Sequence, residues 1–318
     1  MVKKRNKMSL TSKLVNEVKY AWKFRTLLLM CLPAIIYVFI FCLYPLPGIR
    51  IAFVDYNIKK GISGSKFVGL KNFEFLWRSG KLWMLTRNNL LYNIAETVLG
   101  VIMQVTVAVL LNEMHSKYFK KISQSIMFIP YFISWVLVGI LSFNIFNYEY
   151  GFINTILEKI AGEKFNFYSA PWVWPFILVA FTLWKSTGHS SIVYFAALCG
   201  IDAEILEAAK IDGASAWQSI RYIKLPMLKP TIVILLLLGM GGMLKGSFGL
   251  VYNVVGTNNA RLWPTTDIIE AYVYRSMLND FNFSTASAVG VYQSLFGTIL
   301  VLFSNWVVKK INPDHALF

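Results

Sequence analysis

The sequence predicts an all-α membrane protein with six transmembrane helices and both termini in the cytoplasm. Three observations carry this expectation. The 318-residue chain is 56% hydrophobic and only 15% charged, whereas soluble domains are roughly 45–50% apolar. Six stretches, at 27–47, 88–112, 123–146, 172–199, 231–255 and 289–309, are each long enough to cross a hydrocarbon core, which takes ~20 mostly apolar residues per helix. Basic residues then alternate sides of those stretches as the positive-inside bias requires.

Each element has its own signal. Lys3, Lys4, Arg5, Lys7, Lys13, Lys19, Lys23 and Arg25 precede the first stretch against a single Glu17, which places the N-terminus inside. This segment, 1–26, carries Leu10, Leu14, Val18, Ala21 and Trp22 at helical spacing, predicting an interfacial helix from Ser9 to Phe24 in contact with lipid. The first stretch exceeds the apolar core of a signal peptide, and Tyr44-Pro45-Leu46-Pro47-Gly48 offers no small-residue cleavage site. Lys117, Lys120 and Lys121 fall between the second and third stretches, Lys210, Arg221, Lys224 and Lys229 between the fourth and fifth, and Lys309 and Lys310 after the sixth. All are predicted cytoplasmic. The membrane domain thus runs over 27–311, with a short cytoplasmic tail at 312–318.

The net charge of +15 is read as topology and attraction to anionic lipid, not as a nucleic-acid footprint. Cys31, Cys42 and Cys199 lie in or beside apolar stretches without metal-ligand spacing and read as packing residues. The chain has no phosphate-binding loop of the form G-x-x-x-x-G-K-[ST], no H-E-x-x-H and no G-x-S-x-G. No catalytic residue, metal or cofactor is therefore expected on it, and energy must come from a partner or a gradient.

Polar residues inside spans are costly and call for a partner or a watery cavity. The second stretch carries Asn88, Asn89, Asn93 and Glu96 in its outer part, the fourth Lys185, Thr187, His189 and Ser190 near its middle. The fifth has Lys245 in a glycine-rich run from Gly239 to Gly246 with Ser247 directly after it, and the sixth has Gln293 and Ser294. Polarity thus concentrates from mid-membrane outward, predicting an outward-open cavity for a polar solute, with Trp135, Trp184 and Tyr194 offering flat faces to sugar rings. The candidate pathway is Asn93, Glu96, Trp135, Trp184, Lys185, His189, Tyr194, Lys245 and Gln293. Each has a structural alternative, since interhelical hydrogen bonds contribute ~0.6 kcal/mol. Glu96, Lys185 and Lys245 divide evenly between ion pair and solute contact, and His189 reads more readily as an interhelical residue than as a proton relay. The glycines around Lys245 either unwind the helix or permit close packing, and packing is expected for most.

Between the fourth and fifth stretches, Asp202 is a good N-cap for a helix from Ala203 to Lys210, and Asp212-Gly213 breaks that helix. A second stretch from Ala214 puts Ala216, Ile220 and Ile223 on one face, with Gln218, Ser219, Arg221 and Lys224 elsewhere, and Pro226 and Pro230 are expected to end it. Periodicity alone makes the 202–230 element as much a plain connector as a docking site. Its spacing says more. Glu207-Ala208-Ala209, three residues, Gly213, nine residues, then Ile223-Lys224-Leu225-Pro226 resembles the signature of permease subunits of bacterial ATP-binding-cassette (ABC) importers. The resemblance extends to the maltose-type sugar permeases and their polysaccharide and oligosaccharide branch, the LplB-like group. Phe67-Val68-Gly69-Leu70-Lys71-Asn72-Phe73, Tyr44-Pro45 with Gly48 and Ala52-Phe53, Ala286-Ser287-Ala288-Val289-Gly290, and Asn305-Trp306 carry it along nearly the whole chain.

The resemblance implies a type I ABC importer permease fold in a bacterial cell membrane, and an import role for oligosaccharides or polysaccharide fragments. It implies a second homologous permease, two cytoplasmic ATPases that bind ATP and Mg, and an extracytoplasmic solute-binding protein. Glu207, Ala208, Ala209, Asp212, Gly213, Ile223, Leu225 and Pro226 would be the coupling residues, with Glu207 the polar contact in an ATPase cleft. Lys245-Gly246-Ser247 departs from the apolar or small residues of the group and points to an acidic sugar. Two other classes compete. An enzyme acting on lipid-linked sugars needs charged groups gathered at one interface, whereas Asp55, Glu149 and Glu158 are scattered. A gradient-driven carrier needs intramembrane acids, and only Glu96 qualifies.

Overall fold

The computed structural model describes residues 23–311. The interfacial helix expected over Ser9 to Phe24 lies almost wholly outside them, as does the tail at 312–318. The protein is mostly helical. Among the described residues four helices are long and apolar enough to cross a membrane, five if a pair bent by 90° is one crossing.

The first crossing, Arg25–Phe53, begins as α1 (Arg25–Val38), loosens into a π turn at Phe39–Leu43 and tightens to 3-10 geometry at Leu46–Phe53. Pro45 and Pro47, which lack backbone N–H groups, lie where the α pattern fails. Its most apolar window has no buried residue, so the crossing lies on the periphery of this chain. A short antiparallel pair, β1 (Val54–Asp55) with β2 (Lys66–Phe67), and the amphipathic α2 (Lys71–Arg78) come next. Asn72 fastens them by donating to the carbonyls of Ala52 at 2.9 Å and Val54 at 3.1 Å.

The longest helix, α3 (Lys81–Glu113), has 33 residues, ~50 Å at 1.5 Å per residue, and outspans a ~30 Å hydrocarbon core. It packs chiefly against α7 (Trp174–Cys199). α7 has the length of a crossing, but Lys185, Thr187, His189 and Ser190 interrupt its apolar surface. Between them, the third predicted stretch is two helices rather than one. α4 (Lys117–Phe132) and α5 (Trp135–Phe146) meet at 90°. Pro130 weakens the first helix near its end, and Ser134 starts the second by accepting from the Leu137 amide. A short helix, α6 (Phe152–Ala161), leads on to α7.

The element that follows α7 is α8 (Ala203–Ile211) and α9 (Ala216–Ser219). Contrary to expectation, Pro226 and Pro230 do not end it: helical structure runs from Ala216 through a π turn at Ile220–Lys224 into α10 (Leu225–Met240). Each proline removes one N–H donor, and the π turn relieves the crowding that the Pro226 ring would impose on the preceding turn. The fifth predicted stretch is also corrected. It stops at Met240 instead of reaching 255, gives way to a turn over 241–247, and resumes as α11 (Phe248–Val254). Gly239 has nothing near its missing side chain, so packing does not explain it. α12 (Ile269–Leu278) caps one end of the helices and α13 (Phe283–Ile311) is the last of the described elements.

The cap is tied by Arg275, which meets Asp267 at 2.6 Å, donates to the Thr257 carbonyl at 3.2 Å and lies 4.4 Å above the Trp263 ring. Burial pushes the Asp267 carboxyl above its ordinary range, and Arg275 opposes the shift. Three apolar clusters form the interior. One joins Val138, Trp174, Leu178, Leu250 and Leu262, a second Leu82, Leu85, Leu244, Ile269 and Val289, and the third Val105, Val109, Tyr194, Leu198 and Leu228 at the inner end.

α4 crosses α7 with no room for a side chain at Gly188, where an added Cβ would stand 1.9 Å from the Met127 carbonyl oxygen. Gly188→Ala is therefore expected to destabilise the detergent-solubilised protein by ~1–3 kcal/mol through overpacking. Gly290→Ala, at a site with nothing within 4 Å, is the neutral control, and thermal unfolding of both variants distinguishes the two outcomes.

Candidate functional site

The element at 202–226 is built from local capping. The Asp202 carboxylate accepts from the Glu204 amide at 3.0 Å and starts α8. The end of α8 closes with the Asp212 amide donating to the Ala208 carbonyl and that of Ala214 to the Ala209 carbonyl, each at 2.9 Å. That closure turns on Gly213, whose φ of +79° lies in the left-handed region that side chains disfavour. Ser215 then caps α9 reciprocally with Gln218: the Ser215 amide donates to Gln218 Oε1 at 2.7 Å and the Gln218 amide to Ser215 Oγ at 3.3 Å. The S-x-x-Q spelling is the sequence signal for this cap. Glu207, Ala208, Asp212, Gly213 and Pro226 are exposed, while Ala209, Ile223 and Leu225 are half-buried. Leu225 packs with Ile220 into the innermost apolar cluster. Ile211, Trp217 and Tyr222 also stand exposed beside the turn.

Above this element, α3, α7 and α10 enclose a cavity of about 360 Å³ whose polar lining includes Asn93, Glu96, Gln104, Ser186, His189 and Ser190. Four of the nine predicted pathway residues meet here: Asn93, Glu96, His189 and the nearly buried Tyr194. The His189 ring stacks on Tyr131 with centroids 4.0 Å apart. A second cavity of about 380 Å³, between the end of α10 and α13, takes Lys245, Gln293, Ser294 and Thr298.

The 241–247 turn lines the second cavity, and side chains from three other helices hold it. Asn89 and Gln293 each donate to the Leu244 carbonyl at 2.6 Å. Glu270 accepts from the Gly246 amide at 2.9 Å and from Gln293 at 2.7 Å, while Asn93 donates to the Lys245 carbonyl at 3.2 Å. Asn89 also accepts from the Ile269 amide at 3.1 Å. Gln293 and Asn93 thus have structural partners as well as cavity exposure. Glu270 has no sequence signal of its own, because it lies beyond the fifth predicted span and only the broken helix brings it back to the turn.

The other three candidates fall elsewhere. The Lys185 ammonium donates to the carbonyls of Pro130, Tyr131 and Ile133 and lies 5.3 Å from the Trp135 ring centre, so both residues serve the α4–α5 break. Trp184 faces an apolar groove with Leu141, Phe146, Phe176 and Phe181 and joins neither polar cavity.

Comparison with known proteins decides what this architecture is. Residues 96–313 match the family described as the binding-protein-dependent transport system inner membrane component. The chain belongs to this family. Among relatives, the polygalacturonan/rhamnogalacturonan transport system permease protein YteP of Bacillus subtilis is 36% identical over 98% of this chain and 94% of its own length. Protein LplB of the same organism is 32% identical over 91% of this chain and 90% of its own. A chain of a bacterial ABC transporter involved in import of the acidic polysaccharide alginate superposes with a TM-score of 0.82 at 30% identity, over 94% of this chain and 99% of that chain. The protein is accordingly a transport permease rather than an enzyme, a multi-pass component of the cell membrane. The matched region begins at Glu96 and takes in the 202–226 element and the lining of both cavities apart from Asn93.

Because Glu270 satisfies a backbone amide that has no helical partner, Glu270→Ala is expected to lower stability by ~1–3 kcal/mol, the cost of an orphaned buried donor. Glu270→Gln, which keeps an acceptor, is expected to lose less. Denaturation midpoints of the purified variants check the order.

Proposed function

We propose that this permease is one half of the membrane channel of an ATP-driven importer for oligosaccharides or polysaccharide fragments, coupled to a cytoplasmic ATPase through the element at Glu207–Pro226. The observation that carries the reading is the exposed helix–turn–helix itself: it bears the importer spacing and continues without a break into α10, which lines the first cavity and ends at the turn that lines the second. The six-crossing topology with cytoplasmic termini takes α7 as a full crossing by its length and the bent α4–α5 pair as one. Under that topology Glu207 faces the cytoplasm and the polar cavities lie toward the outside.

In this reading the assembly holds a second permease, two ATPases that bind ATP and Mg, and an extracytoplasmic solute-binding protein. ATP-driven closure of the ATPases moves α8 and α9 as one capped unit. α10 moves with them, since the helix is continuous, and the cavity between it, α3 and α7 opens outward to receive solute. The polar lining of Asn93, Glu96, His189 and Ser190 suits the hydroxyl groups of a sugar.

The solute we favour is an acidic saccharide. YteP is named for polygalacturonan and rhamnogalacturonan and the structural relative imports alginate. Here Lys245 is the basic side chain of the second cavity, and among the described residues no carboxylate forms an ion pair with it.

Two experiments test the proposal. Glu207→Lys and Gly213→Asp are each expected to abolish co-purification of the ATPase while leaving membrane insertion normal; uptake that persists without any ATPase contradicts the importer reading. Lys245→Gln is expected to lower uptake of oligogalacturonate about tenfold, the scale of one lost charge-assisted hydrogen bond, with assembly and basal ATP hydrolysis unchanged. Equal uptake by wild type and variant removes Lys245 from the pathway.

A further inference from the structure

The importer reading leaves open how a movement at the ATPase reaches α3, which carries Asn93 and Glu96. α10 is covalently continuous with the inner element, but α3 is not. One side chain joins them. Lys224, in the π turn between α9 and α10, is only 8% exposed. Its ammonium forms an ion pair with Glu113, the last residue of α3, and donates to Asn112 Oδ1 at 2.9 Å. Regular helical periodicity puts Lys224 off the apolar face of this stretch, whereas the structure buries it.

The π turn sits where the register of the helix changes. The Leu225 amide bonds to the Ile220 carbonyl, five residues back instead of four. One extra residue in a turn rotates the downstream helix by about 100° relative to a regular α-helix. Pro226 supplies a reason for the widening, because its ring clashes with the carbonyl of the residue four before it in an unbroken α-helix. The contact also has favourable polarity: Lys224 approaches the C-terminal end of α3, where the helix dipole is negative.

We infer that Lys224, Glu113 and Asn112 form a clamp that makes α3 move with the inner element, so that both walls of the polar cavity receive the ATPase stroke. Lys224 is a positioning residue here, because it touches neither solute nor nucleotide. Apolar packing of Leu225 and Leu228 against the innermost cluster holds the helices together but permits sliding and rotation. An ion pair with a buried lysine and a half-buried glutamate, joined by a second hydrogen bond, fixes direction, since displacement leaves the buried ammonium unpaired. From Glu113 to Glu96 the helix extends ~26 Å at 1.5 Å per residue, so a tilt imposed at the clamp is delivered at the cavity.

The clamp rests on the importer reading, and the test separates the two. The full importer, with its own ATPases, second permease and binding protein, is reconstituted in liposomes, and uptake and ATP hydrolysis are measured together. Wild type establishes a ratio of solute imported to ATP hydrolysed; if wild-type uptake does not depend on ATP, the importer reading fails and the clamp falls with it. Lys224→Met, which leaves Glu113 unpaired, risks misassembly. The paired variant Lys224→Met with Glu113→Gln therefore accompanies it, and the exchange Lys224→Glu with Glu113→Lys serves as rescue. The expected result is a fivefold or greater fall in the ratio for the paired variant, with ATPase co-purification and basal hydrolysis retained, and substantial recovery in the exchange. A merely structural contact predicts less assembled complex at an unchanged ratio. That outcome, or a paired variant equal to wild type, overturns the inference.

Discussion

The constraint on which this structure depends is that no backbone group can be left unpaired at membrane depth. The chain breaks its helices twice, near 133–134 and over 241–247, and at each place side chains from other helices take the freed groups. At the first, Lys185 covers three carbonyls at the end of α4. At the second, Asn89, Gln293 and Glu270 pair the Leu244 carbonyl and the Gly246 amide. Without these partners the bent pair and the truncated α10 would carry exposed polar backbone into hydrocarbon, at several kcal/mol per group.

The breaks have a geometric consequence. Ending α10 at Met240 keeps its outer half from filling the space beside α3 and α13, and both cavities abut that ending. The crossing of α4 over α7 at Gly188 brings the broken helix against the cavity wall, where Tyr131 stacks on His189. The same polar side chains that satisfy the backbone thus create the polar interior, and Asn93 and Gln293 do both, each bonding the 241–247 turn while lining a cavity.

The range of each interaction decides how much of this is legible in the sequence. Capping is local, so the start of α8 at Asp202, its end at Gly213 and the amphipathic stretch beyond are readable. The importer spacing is readable too, and the family match agrees with it. Apolar runs locate the crossings but not their interruptions, because a stretch such as 231–255 is equally apolar whether continuous or broken. It is broken by a set of bonds from Asn89, Glu270 and Gln293, each distant in sequence. Lys224 is misplaced by the sequence pattern for a related reason: regular 3.6-residue periodicity cannot anticipate a π turn. Lys185 stands out in sequence as an unusual residue, yet its partners are carbonyls, which carry no sequence signature. Trp184 shows the limit of residue type as a guide, since its neighbours turn it toward an apolar groove.

Once the residues committed to the backbone are set aside, few charged groups are left to meet a solute. Lys185 is occupied by three carbonyls, and Glu270 by a backbone amide and the Gln293 side chain. Arg275 is paired with Asp267, and Lys224 with Glu113. Glu96 in one cavity and Lys245 in the other are what the two polar surfaces retain, with His189 facing the first. Under the proposed function, a pathway with so few charges would hold a saccharide loosely, by hydroxyl contacts spread along its wall. Loose holding is what transport requires, because a site that bound its solute tightly would release it slowly. On that proposal strong discrimination falls to whatever delivers the solute, and the permease would add a preference of the size that one ammonium can supply.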